Sequence, residues 1–121
     1  MKNIETGKIG EDIACQYLLK NSYLILARNH RERFDEIDII AREPDGVLVF
    51  CEVKTNNYNN SGFMPEDNLS AAKRHKMIRA SNIFLARNPE LVWENAGWRI
   101  DFVAIVLDGG KLSNLRHYKN I

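Results

Sequence analysis

The sequence is short of cysteine, of net charge and of long apolar runs, and each shortage excludes a class of protein. Its two cysteines, Cys15 and Cys51, could pair with each other, but two are too few for a disulfide framework or a cysteine-rich metal cluster. No run approaches the roughly 18 apolar residues of a transmembrane helix. The formal net charge is only +1, so any basic surface that binds nucleic acid must be local.

The chain has 121 residues, of which 45% are hydrophobic, enough for a substantial core. We find no internal repeat and no linker that would divide it, which predicts a single domain over residues 1–121. The N-terminal residues lack the apolar stretch of a signal peptide. A cytoplasmic protein is therefore expected.

The middle of the chain predicts a β-hairpin. Ile37–Ala41 and Val47–Cys51 are rich in apolar and β-branched residues, and Pro44–Gly46 between them is a turn sequence. Proline presets φ, aspartate caps the turn, and glycine accepts the left-handed conformation that closes a three-residue loop. In that register Asp38 lies directly opposite Glu52, about 5 Å away on the same face.

This register separates acids from apolar residues. Side chains alternate along a strand, so Glu36 and Lys54 share the face of Asp38 and Glu52. Facing carboxylates repel unless a cation bridges them. Mg²⁺ takes one or two carboxylates, and a neighbouring lysine can orient or deprotonate an attacking water. Alternatively, Glu52 and Lys54 form an ordinary exposed ion pair, or a different turn length shifts the register. The opposite face is apolar throughout: Ile37, Ile39, Val49, Cys51 and Val53.

Two segments before the hairpin are predicted. Helical spacing of apolar residues predicts a helix over Glu5–Lys20, with Glu11 at the margin of the apolar stripe. Glu11 either reaches into a cleft between helix and sheet or caps the helix start, where acids are favoured. Tyr23–Ala27 predicts a short strand. The polar connection that follows it contains Arg28, Arg31 and Arg33.

The second half contains a helix and two strands. Asn-rich residues 55–62 predict a loop, Ser70–Arg87 a helix capped by Ser70, Trp98–Leu107 an alternating strand, and Leu115–Tyr118 a short last strand. Asp101 is either a further acid near the site or the ion-pair partner of an arginine such as Arg99. The apolar stripe of the helix is predicted to contain Ala71, Met77, Ile78, Ser81, Phe84 and Leu85.

A basic arc beside that stripe is a candidate phosphate-binding surface, although a helix face of this kind can also be simply solvated. The arc consists of Lys73, Lys76, Arg79 and Arg87.

The succession helix, three strands, helix, strand, short strand is an α/β pattern that resembles the PD-(D/E)XK restriction-endonuclease-like superfamily. More closely, the chain resembles the bacterial YraN-type family, which is similar to Holliday-junction resolvases. The resemblance implies a mixed central sheet flanked by helices. It rests on Gly10-Glu11, Glu36-Ile37-Asp38, Val49 to Lys54, Lys73 and Arg99-Ile100-Asp101.

The resemblance also implies a function: metal-dependent endonuclease cleavage of DNA, with branched DNA as an expected substrate and a homodimer as an expected assembly. The alternative hypothesis is a nucleic-acid-binding module that has the same fold but does not cut DNA. One residue departs from the family pattern, because Asp35 stands where Gly is usual. The implied roles are catalysis for Glu11, Asp38, Glu52 and Lys54, accessory roles for Glu36 and Lys73, and Mg²⁺ or Mn²⁺ binding by Asp38, Glu52 and the backbone carbonyl of Val53.

Overall fold

A computed structural model describes residues 3–59 and 62–121, and within these ranges the chain forms two α-helices and five β-strands. The order is the one predicted, with two single 3-10 turns, Pro65–Asn68 and Pro89–Leu91, flanking the second helix. The elements are α1 (Asn3–Lys20), β1 (Leu24–Glu32), β2 (Asp35–Arg42), β3 (Leu48–Asn57), α2 (Ala71–Arg87), β4 (Trp98–Asp108) and β5 (Lys111–Tyr118).

The strands form one mixed sheet in the order β1-β2-β3-β4-β5. Neighbouring strands are antiparallel except β3 and β4, which are parallel and are connected through α2. A parallel pair needs such a crossover, usually a helix. This mixed α/β architecture is consistent with the restriction-endonuclease-like fold.

The two helices cover different apolar faces of the sheet. The face under α1 is built by alternating residues of β2, β3 and β4, and that under α2 by the intervening ones. The α1 cluster contains Ala14, Cys15, Leu18, Tyr23, Ile39, Ala41, Val49, Cys51, Val53, Val103, Ile105 and Leu107. The α2 cluster contains Ile37, Ile40, Leu48, Phe50, Met77, Ala80, Phe84 and Ile100.

Two predicted face assignments were wrong in part. Ile37 packs in the α2 cluster, away from Ile39, so the strict alternation predicted for β2 fails at its N-terminal end. On α2, Ile78 is 39% exposed and Ala71 is also exposed, while Ala80 is buried instead. The helix begins as predicted, because the Ser70 hydroxyl accepts a hydrogen bond from the Lys73 backbone N–H at 3.1 Å.

The predictions for two polar segments were also wrong. β1 continues to Glu32, so Arg28 and Arg31 lie in a strand rather than in a connection. The sheet order places β1 at an edge, where side chains on the outward face remain in water. β3 likewise continues through the Asn-rich residues to Asn57, pairing with β4, because ladder hydrogen bonds use backbone groups of any residue. Residues 60 and 61 of the predicted loop lie outside the described residues.

Within the described ranges, neither helix combines the length and apolar character needed to cross a membrane.

Candidate active site

The hairpin has the predicted register. Glu43 N–H donates to the Val47 carbonyl at 2.9 Å, and the β2–β3 ladder runs from Arg42–Leu48 to Ile39–Cys51. Asp38 and Glu52 are each the next residue along the strand after the last ladder pair. Their two side chains therefore lie on the same face of the sheet as each other. Both are buried, each 9% exposed.

The β2–β3 ladder ends where the acids begin. Among the described residues, β2 beyond this point pairs only with β1, and β3 only with β4. In place of a backbone carbonyl of β2, the Asp38 side chain accepts the hydrogen bond from the Val53 backbone N–H, at 2.8 Å to its Oδ2. This hydrogen bond holds the carboxylate of Asp38 in a fixed position beside Glu52.

A glycine lets α1 bring Glu11 to the same place. Gly10 is buried against β3, and a Cβ there would overlap the Thr55 hydroxyl and lie 2.7 Å from the Thr55 Cβ. Only glycine permits this approach of helix to strand. The next residue, Glu11, lines a cavity of about 270 Å³ together with Asp38, Glu52, Val53, Lys54 and Lys73. Of the two alternatives for Glu11, the one in which it reaches into a cleft is confirmed.

Two acids of this cavity, Asp38 and Glu11, are held in an environment that disfavours their ionised form. Burial, and then the negative charge of Glu52, raises the pKa of Asp38 to about 8, although the Val53 hydrogen bond acts in the opposite direction. Burial likewise raises the pKa of Glu11, against a hydrogen bond from Asn29. Asp38 therefore holds its proton to higher pH than an exposed aspartate does.

Two lysines face the acids in different states. Lys73 Nζ lies 2.8 Å from Glu52 Oε1. Burial lowers the pKa of Lys73, but the hydrogen bond to Glu52 and the neighbouring negative charges outweigh it and raise the pKa overall. Lys54 also lines the cavity, yet no carboxylate of residues 3–59 and 62–121 lies within ion-pair distance of its Nζ. Lys54 is thus available to a ligand.

Glu36 lies on the α2 side of the acids. Asp35, the residue that differs from the family pattern, lies on the same side. Glu36 lines an adjoining cavity and is 3.9 Å from Arg31. Asp35 is held by two hydrogen bonds from Arg79, at 2.9 and 3.0 Å, which lower its pKa. The additional acid is therefore neutralised by α2 and does not add a free charge to the cavity.

The predicted basic arc is divided by these contacts. Lys73 pairs with Glu52, Arg79 with Asp35, and Arg87 with Glu32 at 3.2 Å. Lys76 has no ion-pair partner among the residues that the structure describes. Phosphate contact by the arc stays a prediction, and Lys76 is its best-placed member.

The donor atoms fit a hard divalent cation. Asp38 and Glu52 supply two carboxylates, and Val53, whose carbonyl is the predicted further ligand, lines the same cavity. Within the described ranges no group of three or more His, Cys, Asp or Glu side chains is arranged around a metal position. Two carboxylates and a carbonyl are a donor set that Mg²⁺, which keeps several waters or phosphate oxygens, can use.

A second buried polar cluster escaped the sequence analysis except for one pair. The alternative in which Asp101 pairs with Arg99 is confirmed, at 2.9 Å. His117 Nε2 lies 2.7 Å from Asp101 Oδ2, its Nδ1 lies 2.9 Å from the Tyr17 hydroxyl, and Asn120 N–H donates to Asp101 at 3.0 Å. Because these partners are far apart in the sequence, no short-range spacing indicates that they interact. The Asp101 cluster consists of Tyr17, Tyr23, Glu43, Arg99, Asp101, His117, Lys119 and Asn120.

Comparison with known proteins supports the resemblance. The model of "Uncharacterised protein family UPF0102" matches residues 10–105. A UPF0102 protein of Chloroherpeton thalassium is 38% identical over 109 residues, 90% of this chain and 81% of the relative. A UPF0102 protein of Dictyoglomus turgidum is 35% identical over 121 residues, 99% of this chain and 98% of the relative. One of Persephonella marina is 37% identical over 114 residues, 94% and 90% of the two chains.

Proposed function

This chain belongs to the UPF0102 family, within the restriction-endonuclease-like superfamily, and we propose that it is a metal-dependent endonuclease that hydrolyses DNA phosphodiester bonds. Branched DNA is the expected substrate, and Mg²⁺ or Mn²⁺ the expected cofactor. The proposal is supported by two buried carboxylates on one face, a glutamate supplied by α1, and a lysine beside them that has no ion-pair partner among the described residues.

Each side chain has a distinct role in this proposal. Asp38 and Glu52, with the Val53 carbonyl, would hold the ion, and Glu11 would bind it through water or a second ion. Lys54 would position the attacking water and offset negative charge as it develops on the phosphorus oxygens. A bound Mg²⁺ would supply Lewis-acid stabilisation of the transition state. Lys73 and Lys76 would hold the DNA backbone.

The observation that carries the proposal is the burial of Asp38 beside Glu52. Burial, and then the negative charge of Glu52, disfavours an ionised Asp38 and raises its pKa. A polar side chain without charge at position 38 could accept the same Val53 hydrogen bond. The acid therefore contributes nothing to the fold that a neutral residue could not, which is the pattern expected of a functional group.

A non-catalytic nucleic-acid-binding module is the second candidate, and one contact favours it. Lys73 Nζ already neutralises Glu52 at 2.8 Å, as a bound cation would. A protein that only binds DNA could keep this ion pair unchanged. An endonuclease needs Lys73 to yield Glu52 to the metal and move towards phosphate.

Cleavage assays separate the two candidates. Branched and linear DNAs are incubated with Mg²⁺ or Mn²⁺ and with wild type, Glu52→Gln or Lys54→Ala. We expect wild type to cut and both variants to lose cleavage. Lys54→Ala should bind DNA with affinity within about threefold of wild type, because a water-positioning group acts mainly in the transition state. Binding by wild type without cleavage under any of these conditions would favour the binding module.

A further inference from the structure

The turn between β1 and β2 exposes an aromatic side chain beside the candidate site. Glu32 pairs with Asp35, so Arg33 and Phe34 form a two-residue turn. Phe34 is 95% exposed. Arg33 adopts a left-handed conformation, φ 53°, which is unfavourable for a residue other than glycine. The turn therefore keeps a strained backbone while leaving its largest apolar group in water.

Both residues that flank the turn are fastened to α2. Asp35 accepts two hydrogen bonds from Arg79, at 2.9 and 3.0 Å. Glu32, which is buried, lies 3.2 Å from Arg87. These ion pairs anchor the two ends of the turn on the helix. The position of Phe34 is thus set by the scaffold, as a preformed binding surface requires.

Phe34 lines a cavity that is continuous with the candidate active site. This cavity, of about 300 Å³, is shared by Phe34, Lys76 and Glu36. It also contains Asp38, Glu52 and Lys73, which line the central cavity as well. A strand whose phosphate lay at Asp38 and Glu52 would therefore pass its neighbouring nucleotide along Phe34.

We propose that Phe34 is a stacking platform for an unpaired base next to the phosphate that is cut, with Lys76 on a flanking phosphate. The proposal rests on the proposed nuclease function and names its substrate class: DNA with unpaired nucleotides at the site. Aromatic side chains beside cations bind single strands in this way, because every base has a face that stacks. The neighbours of Phe34 in the cavity are mostly charged, whereas a protein partner would be expected to meet a contiguous apolar patch.

Binding without metal isolates this role from cleavage. The probes are a single-stranded oligonucleotide with 2-aminopurine near its centre and the fully paired duplex of the same sequence, both in chelator. Wild type, Phe34→Leu and Phe34→Trp are compared by fluorescence anisotropy and by 2-aminopurine emission. Leucine keeps an apolar side chain without a ring, and tryptophan keeps a stacking face.

We expect wild type to quench the 2-aminopurine and to prefer the single strand. Phe34→Leu should lose the quenching and at least about fivefold in single-strand affinity, the lower end for base–aromatic stacking, with duplex affinity nearly unchanged. Phe34→Trp should restore both readouts.

Three results would overturn the proposal. Equal quenching and affinity in wild type and Phe34→Leu would remove Phe34 from the DNA site and leave the nuclease function untouched. A wild-type dimer in sedimentation that Phe34→Leu converts to monomer, with DNA affinity unchanged, would make Phe34 a subunit contact. Failure of wild type to bind either DNA in chelator would overturn this proposal, whereas the proposed function is decided separately by the cleavage assay with Mg²⁺ or Mn²⁺.

Discussion

The Asp101 cluster and the candidate site both contain buried carboxylates, and their electrostatics are opposite. In the Asp101 cluster every acid is matched: Asp101 is fully buried, yet Arg99, His117 and Asn120 all contact it, and its pKa is lowered despite the burial. In the candidate site the pKa of Asp38 is raised by burial and by a second carboxylate.

This difference separates a polar cluster whose charges are matched within the protein from the candidate site. Arg99 also donates to Glu43 at 2.6 Å and lowers the pKa of that acid, so the Asp101 cluster is complete without a ligand. The candidate site has three carboxylates, Glu11, Asp38 and Glu52, and one ion-pair contact, from Lys73. A site in which three carboxylates share one cavity with two lysines holds more acids than bases, and a cation can offset the difference.

The largest expected effect comes from breaking the matched cluster. Asp101→Asn keeps the shape of the side chain but leaves Arg99 and His117 without their shared carboxylate. Removing one partner of a buried ion pair costs about 3–5 kcal/mol. We expect the free energy of unfolding, measured by denaturant titration, to fall by that amount.

Asp38→Asn is the matched substitution in the other cluster, and we expect it to leave stability unchanged or slightly higher in metal-free buffer. Equal losses from Asp101→Asn and Asp38→Asn would contradict the distinction between the two clusters.

The pH dependence of Asp38→Asn sharpens the same comparison. Because the folded-state pKa of Asp38 is raised from 3.8 to about 8, its contribution to stability is full below pH 3.8 and is lost as pH rises through 8. Between pH 7 and pH 9, wild type should lose about 1 kcal/mol relative to Asp38→Asn. Thermal melts of both proteins in chelator, across this pH range, measure the difference. Parallel pH profiles would show that Asp38 is ionised throughout.

A smaller effect is expected for the cations of α2. Lys76 has no ion-pair partner in the described part of the chain, whereas Arg79 is held by Asp35. Lys76→Ala should weaken DNA binding and lower the slope of log affinity against log salt by about one unit. Arg79→Ala, which removes an equal charge already neutralised within the protein, should change the slope less. The opposite order of the two slopes would place the DNA path elsewhere.

Much of the site follows from local chemistry that the sequence displays. The Pro44–Gly46 turn sets the register, and the register alone places Asp38 with Glu52 and Lys54. The reason for a glycine at position 10, next to Glu11, can also be inferred once the helix is known to approach a strand closely.

What escaped prediction depends on partners that are distant in the chain. Nothing near Lys73 indicates that it contacts Glu52, and no spacing joins Glu43 or His117 to Arg99 and Asp101. The strand extensions were missed for a related reason, because backbone pairing at a sheet edge or beside β4 tolerates polar side chains.

The central claim is that the acids of the candidate site bind a divalent cation. Calorimetric titration of Mg²⁺ into metal-free wild type, Glu52→Gln and Glu94→Gln tests it most directly. Glu94 is an exposed acid outside both clusters, so its variant controls for the loss of one negative charge. We predict weak binding by wild type and Glu94→Gln and none by Glu52→Gln. Undiminished Mg²⁺ affinity in Glu52→Gln would contradict the assignment.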